Sequence, residues 1–262
     1  PEKVPEWQEK YGIKDSNVYN YDNFDEIAKN PDIDIIYVVV PHGLHAKFAI
    51  RAANAGKHVI CEKPMARSVA EADAMLAAAK KNRVTLAIGY RLHHDPFHLR
   101  VMELARTEAL GKLKTCRAEF SGRPSDERVR THWHFDRELG VAGALYDLGV
   151  YAVQAQIYVA GQNPTGVTAK SYNTRPELFT ECQEGYEWEL EFPNRMESSG
   201  AAVSNRSEVW DSNPGLRLRW SGRLHQRSAH DFNPCAAADV AHGRRVSVNF
   251  GRTPRADSWH HG

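Results

Sequence analysis

The sequence predicts an α/β fold: a partial parallel sheet with its first strands missing, followed by an α+β domain with an open antiparallel sheet. Three observations carry this. Ile33–Val40 is a β-branched run with almost no polar interruption, which reads as a central parallel strand buried on both faces. The runs His58–Cys61 and Thr85–Tyr90 repeat the strand signal, with helix-length segments between them. After Tyr90 the rhythm changes to a helix, a strand, an apolar helix and three strands joined by Pro, Gly and Asn turns.

The elements follow in order. Val4, Trp7 and Tyr11 stand at near-helical spacing, and Gly12 ends the pattern. Asp25–Lys29 reads as a brief helix stopped by Asn30-Pro31. Leu44, Phe48, Ala49, Ala52 and Ala53 form one face of a helix, with Gly56 as its C-terminal stop. Ser68 opens a helix through Asn82, and Glu71, three residues on, completes a capping box. Strand, helix, strand, helix, strand is a βαβαβ unit, hence parallel strands with right-handed crossovers. Asp95-Pro96 then starts a helix to about Ala109, and Lys112–Phe120 alternates as a strand. Ser121–Arg130 reads as a polar loop and Ala142–Ala160 as a helix. Val167–Tyr172, Glu187–Phe192 and Met196–Val203 read as antiparallel strands. The expected division is 1–92, 93–205 and a third stretch, 206–262.

Composition limits the function. The net charge is +1, and basic and acidic residues are interspersed, which gives no case for nucleic acid. No apolar run approaches membrane-spanning length. Cys61, Cys116, Cys182 and Cys235 show no paired spacing and read as free thiols, favouring a reducing compartment. The start, Pro1-Glu2-Lys3-Val4, carries neither a leader nor an initiating methionine, so the chain reads as a fragment, cytoplasmic or periplasmic. From Arg206 to Gly262 there are nine arginines, no lysine and no isoleucine, and apolar periodicity is weak. That stretch reads as poorly specified, either disordered or the product of a frameshift. An arginine-rich RNA-binding tail fits less well, because the arginines are scattered.

The chemistry concentrates at strand ends. Glu62-Lys63-Pro64 closes the second strand. In a parallel sheet that edge is shared with Pro41-His42-Gly43-Leu44-His45 and with Tyr90-Arg91-Leu92-His93-His94. A lysine there is a candidate active-site cation; the alternative is a strand-end lysine pointing to water. Neither His42/His45 nor His93/His94 has the i, i+4 spacing of the familiar zinc motifs, so no metal is expected. Asp147 and Tyr151, four apart on an apolar helix, share a face. They form either a buried hydrogen-bonded pair or a carboxylate and phenol lining a cavity, the phenol serving as general acid/base beside an ammonium such as Lys63.

The segments Asp34–His45, Ala55–Val59 and Glu62-Lys63-Pro64 together resemble the Gfo/Idh/MocA oxidoreductases, across roughly residues 1–205. Gly89–Pro96, Trp133, Arg137–Leu139 and Asp147–Tyr151 are similar to the glucose–fructose and aldose oxidoreductase branch, where Tyr151 stands in place of a histidine common in other relatives. The resemblance implies a Rossmann-type first domain and hydride transfer between NADP (NAD possible) and a sugar, at C1 of an aldose. It implies catalytic roles for Lys63, Tyr151 and Asp147. It implies a cofactor pocket of Pro41, His45, Glu62, Lys63, Pro64 and Arg91, and sugar contacts from Lys63, His94, Trp133, Asp147 and Tyr151. It further implies a homodimer or homotetramer through the open sheet. No G-x-G-x-x-G precedes Ile33, so the pyrophosphate grip of the family is not found here. The alternative reading is therefore an inactive remnant that serves only as an interaction module.

Overall fold

The computed structural model describes residues 4–109, 111–204, 215–220 and 246–248. The chain forms two compact units, Pro1–Gly89 and Tyr90–Gly262. No helix among the described residues is long and apolar enough to cross a membrane.

The first unit holds helix α1 (Val4–Tyr11), strand β1 (Ile35–Val38), helix α2 (His45–Asn54), strand β2 (His58–Cys61), helix α3 (Val69–Asn82) and strand β3 (Leu86–Ile88). The sheet is parallel in the order β1-β2-β3, with Val38 opposite Cys61 and Cys61 opposite Ile88. Its core gathers Val38, Phe48, Ala49, Ala52, Ala53, Val59, Cys61, Met75 and Ala78. The alanines of α2 let its backbone lie close to its neighbours, because a small side chain shortens the approach. Ser68 caps α3 by accepting from Glu71 N at 3.2 Å. The reciprocal bond differs from the expected capping box: the Glu71 carboxylate accepts from Arg67 N at 3.0 Å, one residue earlier. Asp25–Lys29 is part of a 3₁₀ turn, Phe24–Lys29.

One expectation is overturned. β1 is not buried on both faces: Ile35, Tyr37 and Val39 are 55%, 56% and 63% exposed. Side chains alternate along a strand, and α2 and α3 cover only the face that receives Ile36, Val38 and Val40. A continuous apolar run signals strand and cannot report which face has a cover.

The second unit begins with helix α4 (Pro96–Arg106), capped by Asp95, whose Oδ1 accepts from Phe97 N at 3.0 Å and His98 N at 3.1 Å. Strand β4 (Leu113–Ser121), helix α5 (Asp126–Thr131), a π-helical turn (Leu145–Gly149) and helix α6 (Val150–Ala160) follow. Strands β5 (Gly166–Tyr172), β6 (Gly185–Glu191), β7 (Glu197–Val203), β8 (Gly215–Trp220) and β9 (Val246–Val248) complete it. The sheet order is β5-β6-β7-β4-β8-β9. It is mixed rather than antiparallel, since β4 and β7 run parallel, with Thr115 opposite Glu197. Part of the expected loop 121–130 is α5, whose cap, Ser125, accepts from Arg128 N at 3.2 Å. The strands β8 and β9 fall within 206–262, and the rest of that stretch lies outside the described residues. Cys61, Cys116 and Cys182 are free and buried; burial, the main cause, and the Glu62 charge push Cys61 up to about 12.

Helix α6 is locked to the sheet by a satisfied polar network. Gln156, fully buried, donates to Ser198 Oγ and Ser199 O, each at 2.8 Å, and accepts from Trp188 Nε1 at 2.8 Å. Buried amides are stabilising only when their partners are present. Gly200 lies under the same indole, and a Cβ there would come within 2.2 Å of Trp188 Cε2. The Gln156 bond holds the indole in place, so it cannot yield. Gly200→Ala is expected to cost about 3 kcal/mol, read as a lower urea midpoint with an unchanged slope. An unaltered midpoint would show that the indole moves freely.

Candidate active site

In the first unit the carboxyl edge of the parallel sheet assembles around Lys63. Glu62 N donates to Val38 O at 3.0 Å, which extends the β1–β2 ladder one residue past the strand. The Glu62 carboxylate accepts from Lys63 N at 3.1 Å and from Tyr37 Oη at 2.5 Å. That hydrogen bond to Glu62, with burial and the Glu62 charge behind it, pushes the Tyr37 phenol up to about 12, so it stays a donor at neutral pH. Gly89 N donates to Cys61 O at 2.8 Å, and a Cβ on Gly89 would lie 3.4 Å from Glu62 Oε1. The glycine leaves the carboxylate uncrowded. The Lys63–Pro64 peptide is cis.

His45 is 0% exposed, with Nδ1 2.6 Å from Pro64 O and Nε2 3.0 Å from Val40 O, so its ring nitrogens face main-chain carbonyls. Pro41 leads into the 3₁₀ turn His42–Leu44 that delivers His45 to the start of α2.

In the second unit, Asp147 sits in the π-helical turn and Tyr151 at the start of α6. The two straddle a change of helix type rather than one continuous helix. Such single turns of wider helix re-aim side chains, frequently at functional sites. The Arg91 guanidinium lies 5.6 Å from the Tyr151 ring centroid, and Phe120 packs 5.4 Å from that ring. Tyr90 is pushed up to about 12 by burial, then by Tyr158 and Tyr151. His93 Nδ1 is hydrogen-bonded to Tyr158 Oη, and the His94 ring is 5.5 Å from His93.

Asp147 Oδ1 is 3.8 Å from His134 Nε2. Asp147, His134, Arg123, Arg128 and Ser204 line a cavity of about 310 Å³. The sequence reading missed His134. Its signal is the alternation His132-Trp133-His134, which stacks: Trp133 on His134 at 3.7 Å and His132 on His134 at 4.5 Å. Burial first, then the Arg128 charge, lowers the His132 pKa against the pull of Asp147, so the ring is neutral at pH 7. The neutral ring can accept at Nδ1, where His134 Nδ1 stands 2.6 Å away. Trp133 instead lines a second cavity of about 470 Å³, with His132, Phe135, Asp136 and Glu181. The structure therefore places Trp133 and Asp147 on different cavities.

A parallel βαβαβ sheet with a lysine at its carboxyl edge, followed by a helix-backed open sheet, is the architecture of a Rossmann-type first domain joined to an α+β domain. The comparisons make this specific. Residues 1–90 match the family model of the oxidoreductase family, NAD-binding Rossmann fold, and residues 98–215 match the GFO/IDH/MocA C-terminal domain. The chain belongs to the Gfo/Idh/MocA oxidoreductase family. It is 30% identical to D-xylose 1-dehydrogenase (NADP(+)) 2 of Haloferax volcanii, over 89% of this chain and 69% of that protein. It is 35% identical to trans-1,2-dihydrobenzene-1,2-diol dehydrogenase of Xenopus tropicalis, over 58% of this chain and 45% of that protein. The crystal structure of aldose-aldose oxidoreductase from Caulobacter crescentus superposes with a TM-score of 0.76 at 35% identity, covering 85% of this chain and 64% of that one. The chain thus spans about half the length of the curated dihydrodiol dehydrogenase it matches.

Proposed function

We propose that this chain carries the sugar-oxidising chemistry of an NADP-linked aldose oxidoreductase, moving a hydride between the nicotinamide and C1 of an aldose. The carrying observation is Lys63: it stands one residue beyond the ladder of a parallel sheet, its main chain held by Glu62 and by His45 through Pro64. Similarity to aldose-aldose oxidoreductase and to the xylose dehydrogenases supports a sugar substrate, and the NADP-linked xylose enzymes favour NADP over NAD.

The residues present fit the nicotinamide end of a dinucleotide. Pro41 offers an apolar ring, and Glu62, oriented by Tyr37, offers an acceptor for ribose hydroxyls. A bound nicotinamide supplies the hydride acceptor. Lys63 donates to the reacting sugar oxygen and stabilises the negative charge that grows there. Tyr151 takes the hydroxyl proton, and Arg91 lies over its ring. Asp147, beside His134, accepts from a neighbouring sugar hydroxyl and fixes the ring.

Coenzyme titration of the full chain tests the assignment. Quenching of tryptophan fluorescence by NADPH at micromolar levels, weaker with NADH, is the expected result. No response to either up to millimolar levels would remove the enzyme reading and leave the interaction module.

A further inference from the structure

Among the titratable groups of the first unit, His45 stands apart. It is wholly buried, it makes two polar contacts, and both are with main-chain carbonyls, those of Val40 and Pro64. We propose that His45 is the positioning residue of Lys63: its imidazole, spanning the carbonyls of Val40 and Pro64, sets the Lys63 main chain and with it the aim of the ammonium.

The geometry favours this over simple core filling. A buried apolar side chain would fill the same volume at no desolvation cost, whereas a buried imidazole is tolerable only when its nitrogens find partners. The partners are informative. Val40 lies two residues beyond β1, and Pro64 directly follows Lys63, so the ring ties the loop leaving one strand to the loop leaving the next. Carbonyl oxygens only accept, so each contact is made by a ring N–H: the neutral ring makes one and the protonated ring both. On the other side, Glu62 Oε2 accepts from Lys63 N at 3.1 Å. Lys63 is thus held from both of its neighbours, Glu62 before and Pro64 after. A lysine side chain has four rotatable bonds, so its head can be placed only if its root is fixed. A displacement of about 1 Å in such a group is enough to cost on the order of 10²-fold in rate.

This inference rests on the assignment of Lys63 to the reaction, and the experiment separates the two. His45→Met fills the space without a donor, and His45→Gln retains one. In the full chain, His45→Met is expected to lower kcat about 100-fold and His45→Gln about 10-fold, with the sugar KM within threefold. In a Lys63→Ala background, His45→Met should add less than twofold. Independently of turnover, reductive ¹³C-methylation of the lysines gives a Lys63 resonance, identified by its loss in Lys63→Ala, which should shift in His45→Met. An unmoved Lys63 resonance, or a full second loss of kcat in the Lys63→Ala background, would overturn the proposal. So would failure of both variants to fold, which assigns His45 to the core alone. A wild type without turnover, whose Lys63 resonance still shifts in His45→Met, would support the clamp and remove the oxidoreductase assignment.

Discussion

Lys63→Ala is expected to lower kcat by about 10³-fold while leaving the sugar KM within a few-fold. The argument is one of differential charge. The sugar hydroxyl is neutral in the bound state and gains negative charge as its proton leaves ahead of the hydride, so an ammonium beside it acts mainly in the transition state. A 10³-fold loss corresponds to about 4 kcal/mol, which one charged donor in a partly desolvated site can supply. Lys63→Arg should not restore activity, because the planar guanidinium is bulkier and directs its donors differently from a compact ammonium. The unfolding midpoint should stay near that of the wild type, since the lysine lies at the sheet edge and its loop is held by Glu62 and Pro64. Steady-state kinetics with an aldose and NADP checks this, and turnover within threefold of wild type would remove Lys63 from the mechanism.

The fold was legible where its determinants are local. Ser68 before an apolar run and Asp95 before Pro96 announced α3 and α4, and both caps make the bonds their positions imply. The three parallel strands were legible because β-branched runs alternated with helical ones. What escaped depends on distant residues. The parallel pairing of β4 with β7 brings together segments some eighty residues apart, and no property of Thr115 or Glu197 encodes it. The exposed face of β1 escaped for the same reason. The site divides along this line too. Glu62-Lys63-Pro64 could be read from its place after a strand. The role of His45 could not, because its partners are carbonyl oxygens, which every residue has. The π-helical turn at Asp147 was invisible because Gly143–Tyr151 also satisfies an ordinary helical pattern.

Glu184→Ala is expected to destabilise the second unit by about 3–5 kcal/mol, the cost of breaking a buried ionic network from one side. Glu184 is 0% exposed and begins the turn into β6. Its Oε2 accepts from Thr174 N at 2.6 Å, Thr174 Oγ1 at 2.7 Å and Arg175 N at 3.1 Å, and its Oε1 accepts from Arg175 Nε at 2.8 Å. Arg175, so held, donates to Ser204 O at the end of β7 and to Asp126 in α5, each at 3.1 Å. Asp126 is 70% exposed, so that last pair contributes little. Removing the carboxylate leaves the half-buried guanidinium and two amides without their acceptor. The pH dependence has a definite sign. Burial alone would raise the Glu184 pKa, but the hydrogen bonds from Thr174 and Arg175 outweigh it and hold the carboxyl below its ordinary value. A folded value below the unfolded one means the stabilisation is complete above the unfolded pKa of about 4.3 and is lost as pH falls through the folded value. Urea unfolding of wild type and Glu184→Gln across pH 7 to 3 should therefore show the gap between them narrowing only below about 4.3. A gap that is constant with pH would show that the carboxylate charge contributes nothing. Because Ser204 and Arg128 of α5 line the cavity that holds Asp147, the same substitution should also raise the sugar KM at temperatures where the unit remains folded.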